Sequence, residues 1–423
     1  MKQTIKRIII EKQREIPRYR LVERNVQFGD KTNYVIVGLR RAGKSYMLYQ
    51  DIQKRVKSGT IGIEDIIYIN FEDERLAGMK SEQLGEIIDA YSELYENQRP
   101  YIYLDEIQNV DGWEKFARRL ADSKYRVIIT GSNAKMLSRE IASTLGGRYI
   151  PREMFPFSFK EYLDYHGVAI DRNWEYDPQM KSAVIRLFNR YFHEGGIAES
   201  FEQEDKREYL NALYQKILLG DIVERNHIRN PRVFRFLARK IADSVMQPSS
   251  LTRLQHMVKS TGDTISLPAL KDYLGYMEDA YLVFAIPNLA SPMTEQATIS
   301  KRYLADNGLL NLFLYDGETK LLENLVAISL NRKYRGSEDE PAVYYYNRNI
   351  EVDFCIPSEK LAIQVSYNIS DTATREREVG ALLKFTNAFP GYKGIIITND
   401  SEEHIETETG TIEVVPVWKW LLM

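Results

Sequence analysis

The run Gly38-Leu39-Arg40-Arg41-Ala42-Gly43-Lys44-Ser45 sets two glycines, a lysine and a serine at the spacing G-x-x-x-x-G-K-[ST]. A glycine-rich turn between a strand and a helix lets backbone N–H groups curl around a phosphate. Lys44 then reaches the β- and γ-phosphates, and the Ser45 hydroxyl ligates Mg²⁺. The residues read as contacting the nucleotide are Gly38, Arg41, Ala42, Gly43, Lys44, Ser45 and Tyr46.

Hydrolysis needs more than a phosphate cradle: a carboxylate for the metal, a group that orients water, and positive charge on the transition state. Asp105 ends an apolar stretch and suits the metal role together with Ser45. Glu106, pointing differently, suits activation of the attacking water. The bland alternative is that two adjacent carboxylates cap a strand. Asn133, in Gly131-Ser132-Asn133, stands where a hydrogen bond could hold the water or the γ-phosphate, though the same three residues make ordinary turn chemistry. Arg148, after Gly146-Gly147, is a candidate arginine finger, with a solvated arginine at a strand end as an equal alternative.

Those groups require strands to carry them. Tyr34–Val37, Ile66–Phe71, Tyr101–Leu104 and Arg126–Thr130 read as short buried strands alternating with helical patterns. The spacing predicts βαβ units and a parallel sheet. Trp113, Phe116, Ala117 and Leu120 mark one helix face between the third and fourth strands. Residues 1–32 read as a helix and a short polar lead.

Composition narrows the partners. A net charge of -3, from 57 Lys+Arg and 60 Asp+Glu, excludes a global polycation, so any nucleic-acid contact must be a local patch. The single cysteine, Cys355, excludes an internal disulfide and a cysteine-based zinc site, and five scattered histidines argue against a histidine cluster. No window approaches a membrane span, and the charged start is unlike a signal peptide, so a soluble, cytoplasmic protein is expected.

GLRRAGKS, the INFED stretch at Ile69–Asp73, YLDEIQNVDGWE at Tyr103–Glu114, TGSN, GGRY, PFSFKEYL and GGIAES at Gly195–Ser200 form an ordered set. Together they resemble the prokaryotic AAA+ ATPases with a P-loop domain joined to a C-terminal winged-helix and nuclease-like region. The resemblance spans nearly the whole chain. It implies an α/β fold: a P-loop ATPase core with its N-terminal lead at 1–155 and a helical lid at 156–230. A winged helix at 231–292 and a nuclease-like α+β domain at 293–423 would follow. It also implies ATP and Mg²⁺, with Asp105 as the Walker B aspartate, Glu106 as the catalytic glutamate and Asn133 as the sensor. Ala198 stands where that family usually has proline.

In the winged-helix segment, Val233, Leu237, Ile241 and Val245 share one helix face and Arg232, Arg235 and Arg239 the opposite one. A second and a third helix follow, the latter with Leu267, Leu270, Leu274 and Met277 as its buried side. Residues 231–280 are a candidate DNA contact, yet the third helix offers only Lys271 against Asp272, Glu278 and Asp279. A homo-oligomer and an unidentified protein are the other candidate partners, and no membrane is expected. In the last domain, Glu323 and Asp353 have the layout of a PD-(D/E)xK nuclease. Gln364 and Ser366 occupy the positions where glutamate and lysine are needed. Glutamine offers a metal only a carbonyl oxygen, and serine cannot position the attacking water. Lys360 precedes the strand and Arg375 lies well beyond it, so neither obviously fills the gap, and a lysine supplied from elsewhere in the fold is the open alternative. A nuclease shape without nuclease chemistry is expected. Three functions follow: an ATP-hydrolysing switch whose C-terminal modules bind a partner, an ATP-regulated nuclease, or a signalling scaffold that hydrolyses ATP only when assembled.

Overall fold

The computed structural model describes residues 1–96, 99–133, 136, 139–296, 299–334, 341–407 and 410–423. They fall into two units, Met1–Phe155 and Pro156–Met423.

The first unit is built on a parallel sheet of β1 (Asn33–Val37), β2 (Ile66–Asn70), β3 (Tyr101–Asp105), β4 (Arg126–Gly131) and β5 (Tyr149–Glu153). The order is β2-β3-β4-β1-β5. The near-continuous apolar runs of β1 to β4 suit a parallel sheet covered on both faces, and those strands are buried almost throughout. β5 escaped the sequence pattern because it lies at the edge. Its middle residues Ile150, Pro151 and Arg152 are exposed, and pairing with β1 rather than an apolar run holds it. Helix Lys44–Lys57 follows β1, and helix Trp113–Asp122 buries Trp113, Phe116, Ala117 and Leu120 as their spacing requires. The N-terminal helix Lys2–Glu15 buries Ile5, Ile8 and Ile9, and the Gln13 side chain donates to the carbonyl of Ile66 at 2.9 Å. The lead is thereby tied to the start of β2.

The second unit begins with helices, among them Pro178–Glu194. Helices Pro231–Asp243, Leu251–Lys259 and Leu267–Asp279 then combine with a small antiparallel sheet, ordered β6-β8-β7, of β6 (Ser249–Ser250), β7 (Val283–Pro287) and β8 (Ile299–Leu304). Arg232, Arg235 and Arg239 are exposed, opposite the buried Val233, Leu237 and Ile241. Leu267 corrects the sequence reading: it is 41% exposed, because as the first residue of its helix it precedes the buried stripe of Leu270, Leu274 and Met277.

A six-stranded mixed sheet completes the unit, with β9 (Tyr344–Asn347), β10 (Glu351–Ile356), β11 (Leu361–Val365), β12 (Lys393–Thr398), β13 (Glu403–Thr407) and β14 (Gly410–Pro416). Its order is β13-β14-β12-β11-β10-β9. Helix Thr372–Ala388 sets Leu382 and Phe385 into a core with Val352, Ala362 and Ile396.

Asp306 is buried where the first helices of this unit meet helix Asn307–Asn311. Its carboxylate accepts N–H groups from Gly196 at 2.7 Å, Gly308 at 2.9 Å and Leu309 at 3.2 Å. Burial still wins over those amides and over Arg332, pushing the carboxyl up from 3.8 to about 6. A carboxyl whose folded value exceeds its unfolded one takes up a proton on folding. Its contribution is therefore fully present below about pH 4 and is lost as pH rises through about 6, a span worth about 3 kcal/mol. Asp306→Asn should remove that slope. In urea unfolding from about pH 4 to about pH 7, the wild type should lose about 3 kcal/mol relative to the variant. A difference constant with pH would show that Asp306 does not titrate there.

Candidate active site

Gly38 leaves β1 with φ at +145°, and a Cβ there would lie 2.1 Å from the carbonyl oxygen of Met154. Gly43 opens helix Lys44–Lys57 in the left-handed region, φ +93°. Between them the chain makes the turn that aims a helix N-terminus at the carboxyl edge of the sheet, where partial positive charge favours an anion. Lys44 is buried. Its ammonium donates to the carbonyls of Gly38 and Leu39, each at 3.2 Å, and lies 3.4 Å from a Glu106 carboxylate oxygen. Ala42 is buried in the turn, Arg41 takes φ +64°, and Tyr46 is half exposed on the first turn of the helix. The phosphate-loop residues thus come together as their spacing predicts.

β3 delivers the two carboxylates. Asp105 is fully buried and accepts hydrogen bonds from the hydroxyls of Tyr68 and Thr130, with the Ser45 side chain near enough to favour its charged form. Burial first, and the charge of Glu106 second, hold it above the usual carboxylate range. Glu106 goes the other way. Burial would raise it, but Lys44 leads a set of partners, with Gln108, Ser132 and Arg40, that brings it below the ordinary value. Its backbone sits at φ +54°, a conformation that costs a non-glycine residue about 1 kcal/mol or more. That turn is why adjacent carboxylates face different partners. One carboxyl is thereby held toward its neutral form and the other toward its charged form.

Several residues of this site carried no motif of their own. Thr130 joins the two carboxylates: its hydroxyl donates to Asp105 and accepts the Glu106 N–H at 3.0 Å. Gln108 and the Ser132 amide both donate to the outer oxygen of Glu106. Arg24, buried in the lead, donates to the carbonyls of Ala42 and Phe155, both at 3.0 Å, and its own backbone is held by the Gln50 amide at 2.8 Å. Thr130 and Gln108 lie inside the TGSN and DEIQ runs, which gave their place but not their contacts, and nothing in the lead singled out Arg24.

Asn133 follows β4 directly after Ser132, at the same carboxyl edge as the phosphate loop. Arg148 is not brought there. It precedes β5, which runs parallel to β1 with Tyr149 beside Asn33, so Arg148 lies at the amino edge, one strand length from the loop. Its guanidinium pairs with Asp122 and donates to the carbonyl of Gly146 at 3.1 Å. A finger acting within this chain does not fit that placement.

In the second unit, Glu323 and Asp353 both reach the Lys301 ammonium, and two details differ from the sequence reading. Gln364 does not turn its carbonyl oxygen outward: that oxygen accepts the Asp353 N–H at 2.8 Å, while its NH₂ donates to Glu378 at 2.7 Å. The cation that neither Lys360 nor Arg375 obviously supplies comes from elsewhere in the fold. Lys301, on β8, places its ammonium 3.0 Å from Asp353 and 3.4 Å from both Glu323 and Glu351. β8 was missed because Lys301 and Arg302 interrupt its apolar residues, and both are buried.

The loop, the lysine and the paired carboxylates at one edge of a parallel sheet define a P-loop domain of the AAA type, and residues 30–163 match the family model described as an AAA domain. Residues 185–320 match a second model, described as a domain of unknown function. The chain belongs to the family of an uncharacterized protein of Methanocaldococcus jannaschii, to which it is 36% identical over 409 residues, covering 92% of this chain and 88% of that protein. An uncharacterized protein of Haemophilus influenzae is 29% identical over 420 residues, covering 96% and 98%. Among solved structures, a Walker-type ATPase of Pyrococcus abyssi is similar at a TM-score of 0.37 and 16% identity, over 74% of this chain and 95% of that one. The Orc1 protein of Aeropyrum pernix, solved in complex with DNA, is similar at a TM-score of 0.27 and 16% identity, over 77% and 93%. Among the described residues no helix is long and apolar enough to cross a membrane.

Proposed function

We propose that this chain is an ATP-binding and ATP-hydrolysing AAA+ switch whose C-terminal modules bind a partner. The observation that carries the reading is the convergence of Lys44, Ser45, Asp105, Glu106 and Thr130 at one edge of the sheet. The donor set fits Mg²⁺: the Ser45 hydroxyl lies near a carboxylate whose range burial, and then the charge of Glu106, hold up, and a cation would relieve both. Ser45 and Asp105 would hold the ion, which when bound neutralises charge on the phosphates. Lys44 presents its ammonium to the phosphate oxygens and the turn presents its N–H groups. Glu106, charged and anchored through its outer oxygen, takes the proton of the attacking water. Asn133, beside it, supplies a hydrogen bond to water or phosphate. Phosphate release from Mg-ATP by the wild type, lost on Glu106→Gln, tests the reading.

The placement of Arg148 favours a further condition on turnover. With Arg148 at the amino edge and paired to Asp122, positive charge on the transition state comes from a second copy, and hydrolysis depends on assembly. Mixing Arg148→Ala subunits with Lys44→Ala subunits should then restore part of the activity that each lacks alone. No recovery at any ratio, in an oligomer shown to be mixed, would count against a finger in trans.

The helices at 231–243, 251–259 and 267–279 with the small sheet are read as a winged helix, and the six-stranded sheet with Glu323 and Asp353 as a nuclease-like domain. The exposed Arg232, Arg235 and Arg239 are the face that a DNA backbone would meet. The acidic end of helix Leu267–Asp279 suits a protein partner better. The last domain does not cut. Incubation with single- and double-stranded DNA and RNA in Mg²⁺ or Mn²⁺, with and without ATP, should leave each intact. Cleavage that disappears on Asp353→Ala is the contrary result.

A further inference from the structure

Lys301 is 1% exposed and surrounded by charge. Its ammonium has three N–H donors, and three carboxylates stand around it, from Asp353, Glu323 and Glu351 at 3.0, 3.4 and 3.4 Å, with the Tyr345 ring centred 5.6 Å away. Two of the carboxylates are held by further hydrogen bonds, while the Glu351 side chain is about half exposed. The second oxygen of Asp353 accepts the Val365 N–H at 2.9 Å, and Glu323 accepts the Tyr303 hydroxyl at 2.7 Å. Gln364 is turned into the wall by its bonds to Asp353 and Glu378, and the Ser366 hydroxyl donates to the Asn368 carbonyl at 3.2 Å.

A nuclease-like domain implies a divalent cation among such acids, and the residues present do not fit one. The negative charges are already answered by an ammonium at contact distance, and an ion pushed among them would meet its repulsion. Gln364 brings neither charge nor a free oxygen. Among the described residues, no three acidic, histidine or cysteine side chains are arranged to hold a metal ion. Resting on the reading of this domain as nuclease-like, we propose that the Lys301 ammonium stands in the place of the metal, closing the Glu323–Glu351–Asp353 cluster with a covalently attached cation.

The substitution has a physical logic. Burial alone would lower the Lys301 ammonium, but Asp353, Glu323 and Glu351 outweigh it and raise it above its ordinary range. The same burial, with Asp353 beside it, raises Glu323 well above the usual carboxylate range, which limits the negative charge that one ammonium must balance. Lys301 on β8, Glu323 on helix Glu318–Lys333 and Asp353 on β10 are thereby joined without any dissociable ion. The domain keeps its form whatever the metal supply, as a docking module should.

The test is Mn²⁺ binding to the full-length, nucleotide-free protein, read by electron paramagnetic resonance at up to about 1 mM Mn²⁺. Wild type should bind no ion that depends on Asp353. Lys301→Ala, which empties the centre of the cluster, should gain one Mn²⁺ at least about tenfold tighter than any binding by wild type, and lose it again when Asp353→Asn is added. Lys301→Gln takes the same assay if the alanine variant does not fold. A wild-type Mn²⁺ site abolished by Asp353→Asn overturns the proposal, and so does a folded Lys301 variant that gains no metal. Nuclease assays on the same samples separate the two claims. Metal bound without cleavage overturns the lysine substitution alone, whereas Asp353-dependent cleavage by wild type overturns the non-cutting reading as well.

Discussion

Glu106→Gln is expected to retain Mg-ATP while turning it over at least about a hundredfold more slowly than the wild type. The glutamine keeps a side-chain oxygen for Gln108 and for the Ser132 amide, so the local shape survives. It loses the charge that Lys44 stabilises and with it the capacity to take a proton from water. The two effects separate experimentally. Phosphate release should collapse, while nucleotide bound per protein, measured in parallel, stays near the wild-type value or rises. Hydrolysis at the wild-type rate would reduce Glu106 to a strand cap.

Lys44→Ala should weaken Mg-ATP binding by at least about a hundredfold. A buried ammonium that now spends its donors on two loop carbonyls is the main positive charge available to a polyphosphate at this edge. Its removal also leaves Glu106 buried without its strongest partner, so the carboxyl should move up and the site become a poorer host for any anion. Calorimetry on protein shown to be folded by circular dichroism measures the change. Unchanged affinity would sink the phosphate-loop assignment.

The phosphate site was legible because its chemistry is local: one turn, one helix start and two residues at the end of one strand. What surrounds it was not. Thr130, Gln108 and Arg24 act through contacts that only the sheet order and the path of the lead create, and their residue types are common in any soluble protein. The place of Arg148 turned on the direction of an edge strand whose exposed residues carry no apolar pattern. Lys301 was hidden for a related reason. A charged pair in the middle of β8 reads as surface until three carboxylates from other elements are seen to converge on it.

The most direct measurement is a single-turnover experiment with full-length protein in excess over γ-labelled ATP, followed as protein concentration is raised. The account predicts Mg²⁺-dependent conversion of bound ATP to ADP and phosphate, steeper at concentrations where copies assemble. Under the same conditions Glu106→Gln should hold ATP uncleaved, and Lys44→Ala should bind almost none. Bound ATP that the wild type leaves intact at every concentration, or conversion that Glu106→Gln supports equally well, would contradict it.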